Sequence, residues 1–331
     1  EEAAERLIEA LREPLQSGPL VGIGHRIVHG GPNLSEHQRV TDAVIAELKR
    51  TVPLDLSHLP REIALIEFFA RRLPGVPQVA CFDTAFHRDL PRVAKFLPIP
   101  RRYFDSGVRR FGFHGLSYTY LLGELRRLAP HEADGRVVFA HLGAGASMAA
   151  VNAGQPTDTS MAFTPTAGLV MAARPGDLDP GLVVYLMREE KLNPEKMDEW
   201  LNRNCGLIGI SETSPDVRDL LAAREKDSRA AEAIELFCYQ AKKWIGAYAA
   251  AMGGLEALVF SAGIGEHSPE VRAEICSGLG FLGLRLDPAR NDAARSGGAA
   301  LISADDSRVA VRMIPTDEEI VIARAVLGLL G

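Results

Sequence analysis

The segment Asp158–Gly181, which reads DTSMAFTPTAGLVMAARPGDLDPG, constrains this chain more than any other part of it. It follows neither the period of a helix face nor that of a strand. Its many glycine and proline residues instead imply a backbone held in one fixed, non-repetitive shape. One arginine, Arg174, sits inside it. A rigid loop that presents a cation suits a protein that handles an anion.

The chain has 331 residues, enough for two domains and a large core. Its net charge of -6 carries no long run of one sign, which argues against nucleic acid or an anionic membrane as the main partner. No apolar run reaches the length of a membrane span. The cysteines, Cys81, Cys205, Cys238 and Cys276, are far apart and form no CxxC pair. That pattern disfavours a zinc site and fits a reducing, cytoplasmic compartment. Residue 1 is Glu, and residues 1–15 read as a charged amphipathic helix without a signal peptide, as if the chain began at an internal position.

Strands are expected over Leu20–Val28, Val76–Phe82, Arg136–Leu142, Ser147–Asn152, Leu258–Ser261 and Val309–Ile314. Helices are expected from a Thr41 cap to Arg50, from Pro60 to Arg72, over Gly115–Leu128, Gly181–Glu190, Pro194–Arg203, Asp216–Glu225 and Arg229–Met252. Thr316 is expected to cap a last helix with Asp317, Glu318 and Glu319 in its first turn. A strand, glycine turn and strand occur twice, at Leu20–Gly31 and Val137–Asn152, which is compatible with two related halves.

Several short motifs admit both a functional and a structural reading. Arg26, in GHRIVHGG, lies in an apolar strand and needs either a bound anion or an internal ion pair, and the two readings stand level. Asp83, in FDTAFH, follows a strand, where ligands collect in α/β sheets, but taken alone the motif favours a cap on a helix from Thr84. His114, in FGFHG, is flanked by glycines at a helix start, although a lone histidine is more often structural. The turn HLGAGAS, residues 141–147, can present backbone N–H groups to a phosphate, but such turns are common. Gly263–Glu266 follows a strand and could cradle a nucleotide. It is neither GxGxxG nor a P-loop, and the chain has no GxxxxGK[ST].

Taken in order, GHRIVHGG, FDTAFH, FGFHG, HLGAGAS, the long segment, SAGIGEHS and TDEE form a series that resembles the acetate kinase family over nearly the whole chain. The resemblance implies an acetate and sugar kinase/Hsp70/actin type of fold, in which two α/β, ribonuclease H-like domains flank a cleft that holds the active site. A substrate-side domain over residues 1–134, completed by a C-terminal helix at 316–331, and a nucleotide-binding domain over residues 135–315 are expected. The implied reaction is reversible transfer of the ATP γ-phosphoryl group to a short-chain carboxylate, with Mg2+ or Mn2+, and the implied assembly is a homodimer.

By the same resemblance, Arg26 and Arg174 match the arginines that bind the carboxylate and the phosphoryl group. Asp83 matches the active-site aspartate, His114 the histidine on the transferring group, and His58 a further active-site histidine. Glu318 matches the magnesium-associated glutamate. His141, Leu142, Gly143, Ala144 and Gly145, then Asp216, Val217 and Arg218, then Gly263, Ile264, Gly265, Glu266 and His267 match the nucleotide contacts. Val28, Phe113 and Pro165, with Arg26, match the pocket for the acyl group.

Four departures from the family pattern stand out. The chain starts after the family's first strand and phosphate-contacting turn. Ala144 replaces the asparagine of HLGNG, and TDEE replaces TNEE. Around His58, Ser57 and Leu59 replace leucine and asparagine, and Ser57 removes bulk where an acyl tail would lie. Acetate is the first expected acid and propionate or another short-chain acid the alternative, and one methylene, worth only about 1 to 3 kcal/mol of selectivity, does not separate them. A nucleotide-binding relative without turnover is the alternative of another class, and a plain ATP phosphohydrolase is the third.

Overall fold

A computed structural model describes residues 5–6, 8–9, 20–295 and 297–331. The chain divides into two compact units. The first holds residues up to Arg88, Leu97–Tyr120 and Asp317–Gly331, and the second holds Asp89–Phe96 and Leu121–Thr316.

In the first unit, strands β1 (Ile23–Ile27), β2 (Gln38–Arg39) and β3 (Gln78–Phe82) form a sheet in the order β1-β3-β2. β3 is buried along its whole length, and it pairs parallel with β1 and antiparallel with β2. Side chains alternate across a strand, so β3 feeds two cores. Ala80 and Phe82 pack with Ile27 and with Leu48, Leu59, Ile63 and Ile66 from helices Asp42–Thr51 and Leu59–Arg72. Val79 and Cys81 pack with Leu116, Val321 and Val326 on the other face. Each valine, leucine, isoleucine or phenylalanine among them contributes about 1.5 to 3 kcal/mol when fully buried.

Val321 and Val326 belong to the C-terminal helix Glu318–Leu330, which lies against β1. Gly22 and Gly24 make that approach possible. A Cβ at Gly22 would stand 2.3 Å from Leu330 Cδ1, and one at Gly24 would stand 2.2 Å from Ile322 Cγ2. The expected helix of residues 1–15 lies largely outside the described residues. Glu5, Arg6, Ile8 and Glu9 are helical, Ile8 packs on Phe68 and Phe69, and Glu5 pairs with Arg72 at 2.7 Å.

The second unit contains β4 (Arg136–Leu142), β5 (Ala146–Asn152), β6 (Gln155–Thr159), β7 (Ala257–Ser261), β8 (Ala300–Leu301) and β9 (Ala310–Met313). Among the described residues they form one sheet in the order β6-β5-β4-β7-β9-β8, with β4, β7 and β9 parallel. β4 is buried from Val137 to Leu142, as expected of a strand covered on both faces. The long helix Ser228–Met252 packs on β4 and β5 through small and apolar residues and stops at Gly253, whose φ of 74° closes the end.

Three local expectations need correction. Asp158 and Thr159 are not part of the irregular segment but the end of β6, an edge strand whose Pro156 and Asp158 conceal its pattern. Gly263–Glu266, expected only to follow a strand, is itself helical and lies within the short helix Ala262–His267. The last helix is capped by Asp317, whose carboxylate accepts from the Ile320 amide at 2.9 Å, and not by Thr316. The Thr316 amide donates to Glu266 instead, at 3.1 Å.

Candidate active site

The parallel register sets Arg26 beside Cys81 and Ile27 beside Phe82, so Val28 and Asp83 emerge together at the strand ends. The Asp83 amide donates to the Ile27 carbonyl at 2.9 Å, which fixes the exit of β3. Arg26 crosses to Asp83 with Nη2 at 2.7 Å from Oδ2 and Nε at 3.2 Å from both oxygens. Glu318 Oε2 stands 3.5 Å from the same Nε.

Asp83 is 1% exposed, whereas the Arg26 side chain is 43% exposed. The buried carboxylate therefore orients a guanidinium that still has an open side. Burial pushes the Asp83 carboxyl up, while Arg26 and the His114 amide oppose that shift. The three carboxylates Asp83, Glu318 and Glu62 hold the Arg26 guanidinium above its ordinary range, against the opposite pull of its own burial. Asp83 does not cap a helix. The 3-10 turn Ala85–His87 starts after Thr84 without a side-chain cap.

The FGFHG segment is fastened to the same aspartate. The Gly115 amide donates to the Asp83 carbonyl at 2.9 Å. A Cβ on Gly115 would lie 2.1 Å from that carbonyl oxygen, so only glycine fits. His114 adopts φ 57°, a left-handed conformation costly for a non-glycine residue, and is buried. Phe113 is 1% exposed, and its carbonyl accepts from His87 Nε2 at 3.0 Å. Val28 is half-buried, with its amide directed at Glu62. His58 Nδ1 meets Asp55 Oδ1 at 2.9 Å, and its side chain is partly open. Asp55 also accepts from the Ser57 and His58 amides, forming a rigid turn.

In the second unit, Gly143, Ala144, Asp216, Val217, Arg218, Gly263, Ile264 and His267 line one cavity of about 390 Å³. Three separate stretches of sequence are thereby brought together. Ala172, Pro215 and Ser268 complete the lining and were not singled out from sequence. His141, Leu142, Gly145, Gly265 and Glu266 do not line it, and Leu142 is wholly buried. Glu266 acts as an internal brace. Its Oε1 accepts from the Ala262 amide at 2.8 Å and from Thr316. Ala262 itself has φ 63°, and that bond helps hold the unfavourable backbone. Asp216 caps the helix Val217–Ala223 and pairs with the exposed Arg218, whose hydrogen bond lowers the carboxyl below its usual range.

The long segment borders this cavity. The Ala172 amide donates to the Ala144 carbonyl at 3.1 Å, which staples the segment to the glycine turn. Arg174 Nη1 donates to the Pro165 carbonyl at 2.5 Å. Gly206, with φ 64°, seats against this stretch, and a Cβ there would stand 2.2 Å from the Met171 carbonyl oxygen. Its role was not legible in sequence, because it comes from a helix start well past the segment.

The sequence profile of the Acetokinase family matches residues 1–324. The chain belongs to the acetokinase family. It is 46% identical to an acetate kinase of Nitrobacter hamburgensis over 97% of this chain and 78% of that one. It is 48% identical to an acetate kinase of Rhodopseudomonas palustris over 93% and 76% respectively. Among solved structures, a Porphyromonas gingivalis acetate kinase superposes with a TM-score of 0.90 at 36% identity, covering 99% of this chain and 84% of that one. A Francisella tularensis propionate kinase gives 0.92 at 34% identity, with the same coverage. Acetokinase membership implies a phosphotransferase that uses ATP/ADP with a carboxylate acceptor.

The described residues contain no group of three His, Cys, Asp or Glu side chains that could hold a metal alone. Magnesium bound with a nucleotide needs only one or two carboxylates, with water and phosphate oxygens completing its shell. Glu318 fits that need. Its side chain is 18% exposed, at the start of a helix, and burial raises its carboxyl from the ordinary value.

Proposed function

We propose that this acetokinase-family chain is an acetate kinase, which transfers the γ-phosphoryl group of Mg-ATP to acetate and yields acetyl phosphate and ADP. An acetate oxygen forms the new bond to the γ-phosphorus as the bond to the β,γ-bridging oxygen breaks, and ADP leaves with that electron pair. Acetate is already ionised at neutral pH, with a pKa of roughly 4 to 5 by comparison with side-chain carboxyls, so no residue need remove a proton.

The observation that carries this reading is the Arg26–Asp83 pair, in which a buried carboxylate aims a half-open guanidinium. Such a fork suits a carboxylate or a phosphoryl group. Arg26 binds the acceptor, Asp83 orients Arg26, and Val28 and Phe113 bound the acyl group. His114 and Arg174 stabilise the charge that spreads over the equatorial oxygens, which is the main task in phosphoryl transfer. Pro165 sets Arg174 through its carbonyl, and His58 is oriented by Asp55. Glu318 would hold Mg2+, which neutralises phosphate charge when bound. The cavity at Gly143, Asp216 and Gly263 receives the nucleotide.

Propionate is the second acid, on the strength of Ser57, a small exposed residue beside His58. A homodimer belongs to the same reading. It is supported by the helix Pro180–Glu189, which buries no side chain and exposes Leu182, Val184 and Tyr185. A cytoplasmic location is supported by four free, buried cysteines. Trapping of acyl phosphate as the hydroxamate, with Mg-ATP and acetate, propionate or butyrate in parallel, tests the assignment. Acetate is expected to react fastest. Product from none of the three would overturn it.

A further inference from the structure

One carboxylate beside the acceptor residues has no part in the reaction above. Glu62 lies in the first turn of the helix Leu59–Arg72 and is half-buried. Both of its oxygens accept from the Val28 amide, each at 3.2 Å. That contact ties the helix to the chain just past β1, two residues from Arg26. The charged or titratable groups that act on Glu62 are Arg26, Asp55, His58 and Asp83. Arg26 already serves Asp83 and Glu318. A third negative charge at Glu62 leaves its surroundings with an excess of negative charge, and an incoming anion must compete with it.

The deduction rests on the reading of Arg26 as the acceptor site. We infer that Glu62 is a positioning residue that sets the affinity of Arg26 for the anionic acceptor through its own charge, so that acceptor binding and proton uptake by Glu62 are coupled. Neutral Glu62 still accepts from Val28 through one oxygen and offers an O–H donor from the other. Ionised Glu62 keeps the amide bond but repels the acceptor. Burial, reinforced by Asp55 and Asp83 and opposed by the Val28 amide and His58, pushes this carboxyl up to about 7. The change of state therefore falls in the working range, whereas acetate stays ionised throughout it.

The test compares the wild type with Glu62→Gln, whose amide carbonyl can still accept from Val28. The acetate KM at saturating Mg-ATP is measured from pH 6 to pH 8. In the wild type it should rise by about 5-fold across that range, the size expected when one screened charge opposes the acceptor through a partly solvated path. In Glu62→Gln it should stay low and flat, with a smaller change in kcat than in KM. Proton uptake on acetate binding is read separately by calorimetry in two buffers of different ionisation enthalpy. The wild type should take up a fraction of a proton near pH 7.5, and the variant none. Equal pH profiles, or equal proton uptake in the two proteins, would overturn the inference. Absence of acyl phosphate from both would instead sink the kinase reading, while the calorimetric arm would still decide the role of Glu62. Acetate that binds neither protein would overturn both.

Discussion

Asp83→Asn removes one negative charge and leaves the shape of the site nearly intact. Asp83 is almost wholly buried and holds Arg26 through three contacts between 2.7 and 3.2 Å. Breaking a fully buried ion pair from one side costs about 3 to 5 kcal/mol. The 43% exposure of Arg26 lets water replace part of the loss, so the stability cost should be nearer 1 to 2 kcal/mol. For a chain of this size that corresponds to a fall in melting temperature of about 1.5 to 3 °C.

The effect on catalysis should be larger, because a misplaced guanidinium forfeits orientation. A shift near 1 Å costs about 100-fold, or about 2.7 kcal/mol of barrier. Kinetics of acetyl phosphate formation should show kcat/KM for acetate falling by about 100-fold, with the KM for ATP moving far less. The Asn carbonyl can still accept from Arg26, so the fold should persist. Activity within about threefold of wild type would refute the view that Asp83 aims Arg26.

Other changes probe separate links. Ala144→Asn adds an amide at an exposed position of the turn that lines the nucleotide cavity. One hydrogen bond to a charged phosphate is worth about 1.5 kcal/mol, so the KM for ATP should fall by about 10-fold in steady-state kinetics, and an unchanged KM would count against that turn as the phosphate contact. His87 is buried with Nδ1 lacking a partner among the described residues, and burial lowers it from 6.5 to about 4. The unfolded chain therefore binds this proton first, and stability is lost as pH falls from 6.5 towards 4, by up to about 3 kcal/mol. In urea unfolding at pH 7 and pH 4.5, His87→Gln should lose distinctly less stability than the wild type. Equal losses would show that His87 does not set the acid sensitivity.

Much of the scaffold was legible because its signals are local. Arg136–Leu142 and Gly115–Leu128 have the expected bounds, since an apolar run and an amphipathic stretch with clear ends suffice to define them. β6 was hidden because a polar edge strand that contains proline carries no alternating pattern. The meeting of Gly143, Asp216 and Gly263 at one cavity follows from the chain path, which no short window of sequence records. Glu62 was missed for the same reason. Its partner Val28 is far away in sequence, and nothing near Glu62 distinguishes it from an ordinary acidic residue at a helix start. Asp55 is the exception, because its spacing from His58 could have suggested the contact.

The most direct test of the central claim follows Mg-ATP and acetate by phosphorus NMR. An acetyl phosphate resonance should grow one for one with ADP, and no ADP should form when acetate is left out. ADP and inorganic phosphate appearing at the same rate with and without acetate would contradict the claim.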